Sequence, residues 1–196
     1  MTKPKVIEEN VKNSTFKKIV SSWIFVVFVA YIAVAGFQLY VLYPIEAKLL
    51  PIYSQYASLI YLPHAVRVLA TAIYGPKAFW ALLPVILLTT FMFYPPVNGH
   101  LSVTILTMSI IGAASAPIAC ILLKRISGLA VPEFDTQKAI FHWRYVFAGG
   151  ILASAINSIG LTVLFFDGAD ISAASLAMGR FFIGDIIGLF VGLVVL

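Results

Sequence analysis

Six apolar runs divide this chain, and each is long enough to cross the hydrocarbon core of a membrane. They cover residues 20–42, 56–74, 78–94, 101–123, 145–166 and 176–196. A transmembrane helix needs about 17–25 mostly apolar residues to cross about 30 Å of hydrocarbon. Hydrophobic residues make up 61% of the chain and charged residues only 11%, so a water-soluble fold could not bury the apolar surface. We therefore predict an all-α, polytopic bundle of six transmembrane helices.

Lysine and arginine are distributed very unequally between the two sides that six crossings would create. Ten fall on the side of the N-terminus: Lys3, Lys5, Lys12, Lys17, Lys18, Lys77, Lys124, Arg125, Lys138 and Arg144. The opposite side has only Lys48. Because Lys and Arg favour cytoplasmic loops, this bias predicts that both termini are cytoplasmic. Residues 1–19 then form a basic cytoplasmic segment, and residues 20–196 form the membrane domain.

Two charged residues lie deep inside apolar runs. A charge in the hydrocarbon costs at least about 2.5–3.5 kcal/mol, so it normally faces the protein interior and a partner. At 1.5 Å per helical residue, Arg67 lies about 16 Å and Asp185 about 14 Å below the outer surface. Because the two depths agree, we predict that Arg67 and Asp185 form a buried ion pair.

A second set of polar residues is predicted in the outer half of five runs. Its members are Gln38, His64, Thr90, Asn157 and Arg180. Two interpretations are open. The residues make hydrogen bonds between helices, each worth about 0.6 kcal/mol, or they line a pocket for a small polar ligand that enters from outside.

The last run carries a stripe of glycines at four-residue spacing, Gly184, Gly188 and Gly192. Small residues at this spacing let another helix approach closely. A weaker stripe of small residues occurs in the fifth run, from Gly150 to Ser158. Either these two faces pack together, or one of them joins copies of the chain in a homo-oligomer.

Three prolines, Pro63, Pro84 and Pro117, fall within predicted spans. Each removes one backbone hydrogen bond and frees a carbonyl group. In a membrane this is tolerated where neighbouring helices or a wet cavity satisfy the freed group. The prolines therefore mark either packing kinks or the wall of a cavity.

The sequence offers little of the chemistry that enzymes use. No zinc-ligand spacing, phosphate loop or nucleotide fingerprint occurs. Asp185 is the sole aspartate deep in a run, whereas an intramembrane aspartyl protease needs two. His64 is the sole deep histidine, so a two-histidine haem site is not indicated. The net charge of +5 follows the membrane borders and does not indicate nucleic-acid binding. We expect a non-enzymatic protein without a cofactor or metal, with the lipid bilayer and a protein partner around it.

Two stretches resemble the membrane-associated sensor domains of bacteria, known as the MASE type. The first is YLPHA at residues 61–65, which leads to YGPK at residues 74–77. The second is GDIIG at residues 184–188, and the basic loop after residue 123 is similar in position. Together they cover about a quarter of the chain. Such domains have more spans and are followed by a cyclase or kinase module, whereas we expect no output domain after Leu196. The resemblance implies a sensory, ligand-responsive module in the cytoplasmic (inner) membrane of a bacterium, which acts through a separate partner protein.

Two other functions are compatible with the sequence. Six spans in fewer than 200 residues, with a Gly-Pro turn after the second, are similar to the substrate-binding membrane component of energy-coupling-factor vitamin transporters. The Ala-x-x-x-Ala contact motif of that family is absent from the first run. The third possibility is an accessory subunit of a larger membrane complex that binds no ligand.

Overall fold

The structure is a computed structural model, and it describes residues 22–51, 58–93, 103–127, 143–165 and 171–195. Its regular elements are all helical, as predicted. Five helical stretches are long and apolar enough to cross a membrane: Trp23–Leu49, Pro63–Met92, Val103–Ile126, Trp143–Leu164 and Ile171–Val195. The chain is therefore an integral membrane protein. The predicted basic segment 1–19 and most of the loop between residues 124 and 144 lie outside the described residues.

Seven α-helices make up the described part of the chain. They are α1 (Trp23–Phe37), α2 (Tyr43–Leu49), α3 (Pro63–Tyr74), α4 (Phe79–Phe93), α5 (Val103–Ser127), α6 (Trp143–Phe165) and α7 (Ile171–Val195). One π-helical turn, Gln38–Leu42, joins α1 to α2, and a short 3₁₀ turn, Gly75–Ala78, joins α3 to α4.

The first membrane helix is longer than the sequence predicts. We expected it to end at residue 42 and a loop to follow. Instead the helical path continues to Leu49, because the N–H group of Tyr43 bonds to the Gln38 carbonyl five residues earlier. This wider turn absorbs Pro44, which cannot donate a hydrogen bond of its own.

The stretch Pro63–Met92 is two helices, since the chain reverses direction at Gly75. This glycine has φ 68° and ψ −163°, which no helix can contain. A side chain added at Gly112 of α5 would contact both Nη1 of Arg67 and Ile86, at 3.4 and 3.5 Å. In one straight helix, residues 67 and 86 would lie about 28 Å apart. Thus α3 and α4 form a hairpin at the predicted Gly-Pro turn.

The second predicted span begins later than we expected. The sequence predicts a helix from residue 56, but residues 58–62 are irregular and α3 begins at Pro63. Proline is favoured in the first helical turn, where its missing N–H group has no helical partner to lose. Pro84 and Pro117, by contrast, lie inside the continuous helices α4 and α5.

The short helix α3 occupies the centre of the bundle. One apolar cluster packs it against α1, α4 and α5, and includes Tyr31, Ala70 and Leu82. A second cluster packs it against α5, α6 and α7, and includes Val68 and Leu189. Because α3 belongs to both clusters, seven of its twelve residues are buried. Polar groups on this helix are therefore held inside the protein and away from lipid.

Candidate functional site

The central helix carries two polar side chains on one face, His64 and Arg67. They are three residues apart and therefore neighbours on the helix surface. His64 is fully buried and Arg67 is 3% exposed. Asp185 of α7 and Asn157 of α6 are also buried and face them. We call these four residues the charge cluster.

Arg67 and Asp185 lie in contact, with 3.4 Å between Nη2 of the guanidinium and Oδ1 of the carboxylate. The other terminal nitrogen, Nη1, donates to the carbonyl oxygen of Gly112, 3.2 Å away. The guanidinium carbon also lies 5.4 Å from the centre of the Tyr61 ring. A carboxylate, a carbonyl group and a ring face thus replace the water that the cation loses on burial.

Asn157 connects the two charged groups. Its Oδ1 accepts a hydrogen bond from Nη1 of Arg67 at 3.3 Å. Its Nδ2 donates to Oδ2 of Asp185 at 2.9 Å. An amide can do both at once because it has a donor and an acceptor. Asn157 therefore fixes the relative position of the two charges.

His64 completes the charge cluster. Its Nε2 lies 3.1 Å from the carbonyl oxygen of Gly150 on α6. Its Nδ1 lies 3.4 Å from Oδ2 of Asp185 on α7. The imidazole therefore stands between two oxygen atoms that belong to different helices.

The irregular segment 58–62 lies directly before these residues, and the backbone N–H groups of its last four residues all find partners. Leu59 and Ile60 donate to the two carboxylate oxygens of Glu46, at 3.1 and 2.9 Å. Tyr61 donates to the carbonyl oxygen of Gly184 at 3.0 Å. Leu62 donates to Oε1 of Gln38 at 3.1 Å. Buried N–H groups must be paired, and here two side chains and a carbonyl group of α7 replace the missing helical carbonyls.

Ser58 ties the two side-chain acceptors together. Its hydroxyl lies 2.5 Å from Oε2 of Glu46 and accepts a hydrogen bond from Nε2 of Gln38 at 2.8 Å. Glu46 and Gln38 are both buried. We call Gln38, Glu46 and Ser58 the clamp.

The clamp was only half predicted from the sequence. We expected Gln38 to be a polar residue of the membrane interior, but placed Glu46 in an external loop. The sequence does contain one signal for Glu46, which is its spacing from Gln38. Residues eight apart lie on nearly the same face of a helix. This signal was missed because the first span was predicted to end at residue 42.

The glycine stripe of α7 makes room for the irregular segment. A side chain at Gly184 would meet the carbonyl oxygen of Ser58, and one at Gly188 would meet the backbone of Tyr61. A side chain at Gly192 would meet Ala65 on α3. The stripe therefore packs inside the protein, against an irregular backbone and the start of α3.

The weaker stripe of α6 packs on a different face of α7. The Ser154 hydroxyl donates to the Phe182 carbonyl at 3.0 Å, and Gly150 lies against Leu189. The two small-residue faces thus both lie at contacts within one chain.

The residues predicted for an outer pocket do not form one group in the structure. His64 and Asn157 belong to the charge cluster, and Gln38 belongs to the clamp. Thr90 and Arg180 belong to neither group. Thr90 is half-buried on α4, and Arg180 is half-buried on α7. Beside Thr90, the buried Thr89 donates back to the Val85 carbonyl of its own helix. The sequence predicted two polar layers, whereas the structure merges His64 and Asn157 with the ion pair.

The charge cluster holds one permanent cation, one carboxylate and one imidazole. It can therefore bind a proton, or exchange one internal partner for a polar ligand. Within the described residues no group of three His, Cys, Asp or Glu residues could hold a metal ion.

Comparisons with protein-family models, with curated proteins and with solved structures found no match.

Proposed function

We propose that this protein is a non-enzymatic, ligand-responsive membrane module whose charge cluster sets the position of the irregular segment 58–62. The response passes to a partner protein at the cytoplasmic side. The resemblance of residues 61–65 and 184–188 to MASE-type sensor domains supports the same role.

Its topology is proposed to be six crossings with both termini in the cytoplasm of a bacterium. The hairpin at Gly75 supports six crossings, because α3 and α4 run in opposite directions. The ten-to-one distribution of Lys and Arg supports the orientation. The ring centres of Trp23 and Tyr74 lie 4.9 Å apart, and Nζ of Lys77 lies 5.6 Å from the centre of the Trp23 ring. These three side chains suit one cytoplasmic interface.

One observation carries the proposal. The irregular segment is bonded to Gln38 of the π-helical turn and to Glu46 of α2, and it leads into the helix that carries His64 and Arg67. Irregular backbone at membrane depth is tolerated only inside protein or beside a wet cavity. On its α7 side it lies on bare glycine backbone, so few side-chain contacts with α7 break when it moves. A change at the charge cluster can therefore reach the outer end of the first helix.

Transport of a small polar molecule is the second candidate function. The interrupted start of α3 supports it, since broken helices commonly form the binding sites of membrane transporters. In that case Arg67 would contact an anionic group of the substrate, and Asp185 would be its internal replacement when the site is empty.

Gentle purification in lipid nanodiscs, followed by mass spectrometry of proteins and small molecules, separates the candidates. A co-purifying kinase or cyclase supports the sensory module. A stoichiometric small molecule that is lost in Arg67→Met supports transport. Recovery only within a large assembly contradicts both and indicates an accessory subunit. Arg125→Met, an exposed residue near the end of α5, is the matched control for loss of a cation.

Movement can be measured by the distance between two spin labels in a Cys120→Ala background. Leu49 and Ile171 are 73% and 82% exposed, so labels there leave the core intact. The proposal predicts that Asp185→Asn shifts this distance distribution. An unchanged distribution would contradict transmission through the segment.

A further inference from the structure

The His64 ring faces a hydrogen-bond acceptor at both of its nitrogens. A backbone carbonyl can only accept, so Nε2 must carry a hydrogen to bond Gly150 at 3.1 Å. An ionised carboxylate can also only accept, and Oδ2 of Asp185 lies 3.4 Å from Nδ1.

A neutral imidazole cannot satisfy both contacts. It has one N–H donor and one bare nitrogen. With the hydrogen on Nε2, the lone pair of Nδ1 faces a carboxylate oxygen. With the hydrogen on Nδ1, the lone pair of Nε2 faces a carbonyl oxygen. In either tautomer one buried contact is repulsive, and Nδ1 has no hydrogen-bond partner.

One additional proton removes the conflict. We propose that His64 and Asp185 form a proton-binding site in the membrane interior, in which a proton from the aqueous phase is held between Nδ1 and Oδ2. A single N–H bond forms at Nδ1 as one O–H bond of a hydronium ion breaks and leaves a water molecule, and no other covalent bond changes. The net charge of Arg67, Asp185 and His64 rises from zero to plus one. This inference names the proton as the ligand of the sensory module, and so rests on that proposed function.

The groups around His64 determine whether the positive charge gained on protonation is favoured or opposed. Arg67 on α3 opposes it, and the Asp185 carboxylate favours it. Asn157 on α6 and the Gly150 carbonyl are neutral. The hydroxyls of Tyr31 on α1 and Tyr61 before α3 lie close enough to interact with Arg67 and Asp185. The carboxylate is thus shared by two cations, Arg67 and the protonated His64.

Proton release has a structural consequence. The bare Nδ1 then repels the carboxylate on α7, while Nε2 still bonds to α6. The contact between α3 and α7 loosens, and the irregular segment on Gly184 and Gly188 lies directly beside it. The site would therefore link external pH to the position of the segment.

Nitrogen NMR of the histidine ring tests the site directly. The chain has only three histidines, so His100→Gln and His142→Gln leave His64 as the single ¹⁵N-histidine signal. The protein is measured in lipid nanodiscs between about pH 5 and about pH 9, the range that a histidine switch spans. The proposal predicts hydrogens on both nitrogens at the acidic end and on Nε2 alone at the basic end. A bare Nδ1 throughout the range would overturn it, as would a hydrogen on Nδ1 throughout.

Asp185→Asn is the matched variant, because it keeps the side-chain shape and removes the charge. The doubly protonated form should disappear in this variant, and its persistence would show that the carboxylate does not hold the proton. If this variant does not fold, the titration of the otherwise unchanged chain still decides the proposal.

The spin-label distance between positions 49 and 171 is measured on separately labelled protein in the same nanodiscs and over the same pH range. If His64 titrates and the distance stays constant, the proton site stands and the sensory function fails. If the distance changes while His64 keeps one protonation state, the proton site fails and the sensory function stands.

Discussion

Gly188 of the last helix lies directly against the main chain of Tyr61, in a segment that is not helical. A Cβ atom at this position would meet the nitrogen, carbon and oxygen atoms of Tyr61. Backbone atoms cannot rotate away as a side chain can. The close approach of helix α7 to segment 58–62 therefore depends on the absence of this one side chain.

The first prediction follows from that contact. Gly188→Ala should destabilise the protein by about 1–3 kcal/mol, the usual cost of overpacking. Gly179→Ala on the same helix is the control, because a Cβ there would meet nothing within 4 Å. This control should be neutral or slightly stabilising, since alanine favours a helix by up to about 1 kcal/mol over glycine. Thermal unfolding in nanodiscs measures the stability of both variants. Equal changes in the two would contradict the close packing of Gly188 on Tyr61.

The second prediction concerns the clamp. Glu46→Gln places an amide N–H₂ group against the N–H groups of Leu59 and Ile60, so at least one buried donor loses its acceptor. The loss should be about 1–3 kcal/mol of folding stability. Lys48→Gln, at an exposed position two residues on, should change stability much less. A Glu46→Gln protein as stable as the Lys48→Gln protein would mean that the clamp does not hold the segment.

The third prediction concerns Asn157. Asn157→Leu has a similar volume but offers neither donor nor acceptor, so Nη1 of Arg67 and Oδ2 of Asp185 each lose a partner. We expect a loss of about 1–3 kcal/mol, measured by unfolding in the same nanodiscs. Ile159→Leu, at a position that is 55% exposed on the same helix, is the control and should be nearly neutral. Similar stability of the two variants would show that the bridge is dispensable.

The fourth prediction concerns topology. Reporter fusions after Asn98 and after Ala130 should report the outside and the cytoplasm, respectively. This follows from six crossings and the Lys and Arg distribution. A third fusion after Lys12 should agree with the one after Ala130. Identical signals at Asn98 and Ala130 would exclude the six-span topology.

The helices and the ion pair were accessible from the sequence for a simple reason. Apolar runs fix where helices lie, and a fixed rise per residue converts sequence position into depth. Arg67 and Asp185 fell at one level in that calculation, and the structure places them in contact. The Gly-Pro turn after Tyr74 was equally readable, because Gly75 has a backbone conformation that favours glycine.

The irregular segment and the clamp were not accessible in this way. Hydropathy does not distinguish an apolar helix from an apolar irregular chain, so residues 58–62 were predicted as helical. The π-helical turn before Tyr43 extends the first membrane helix beyond the residue where its apolar run weakens, and this brought Glu46 inside. The partners of a buried backbone depend on tertiary contacts between α2, α7 and the segment, which no local pattern encodes.

The double-mutant cycle of Arg67 and Asp185 tests the central claim most directly, that a buried charge pair organises this site. Arg67→Met and Asp185→Leu are made singly and together, and unfolding free energies are measured in nanodiscs. Each single change strands the opposite charge in a buried site, so each should cost about 3–5 kcal/mol. The double variant should be more stable than the worse single variant, because no uncompensated charge remains. Additive losses in the double variant, with no coupling free energy between the two positions, would contradict the account.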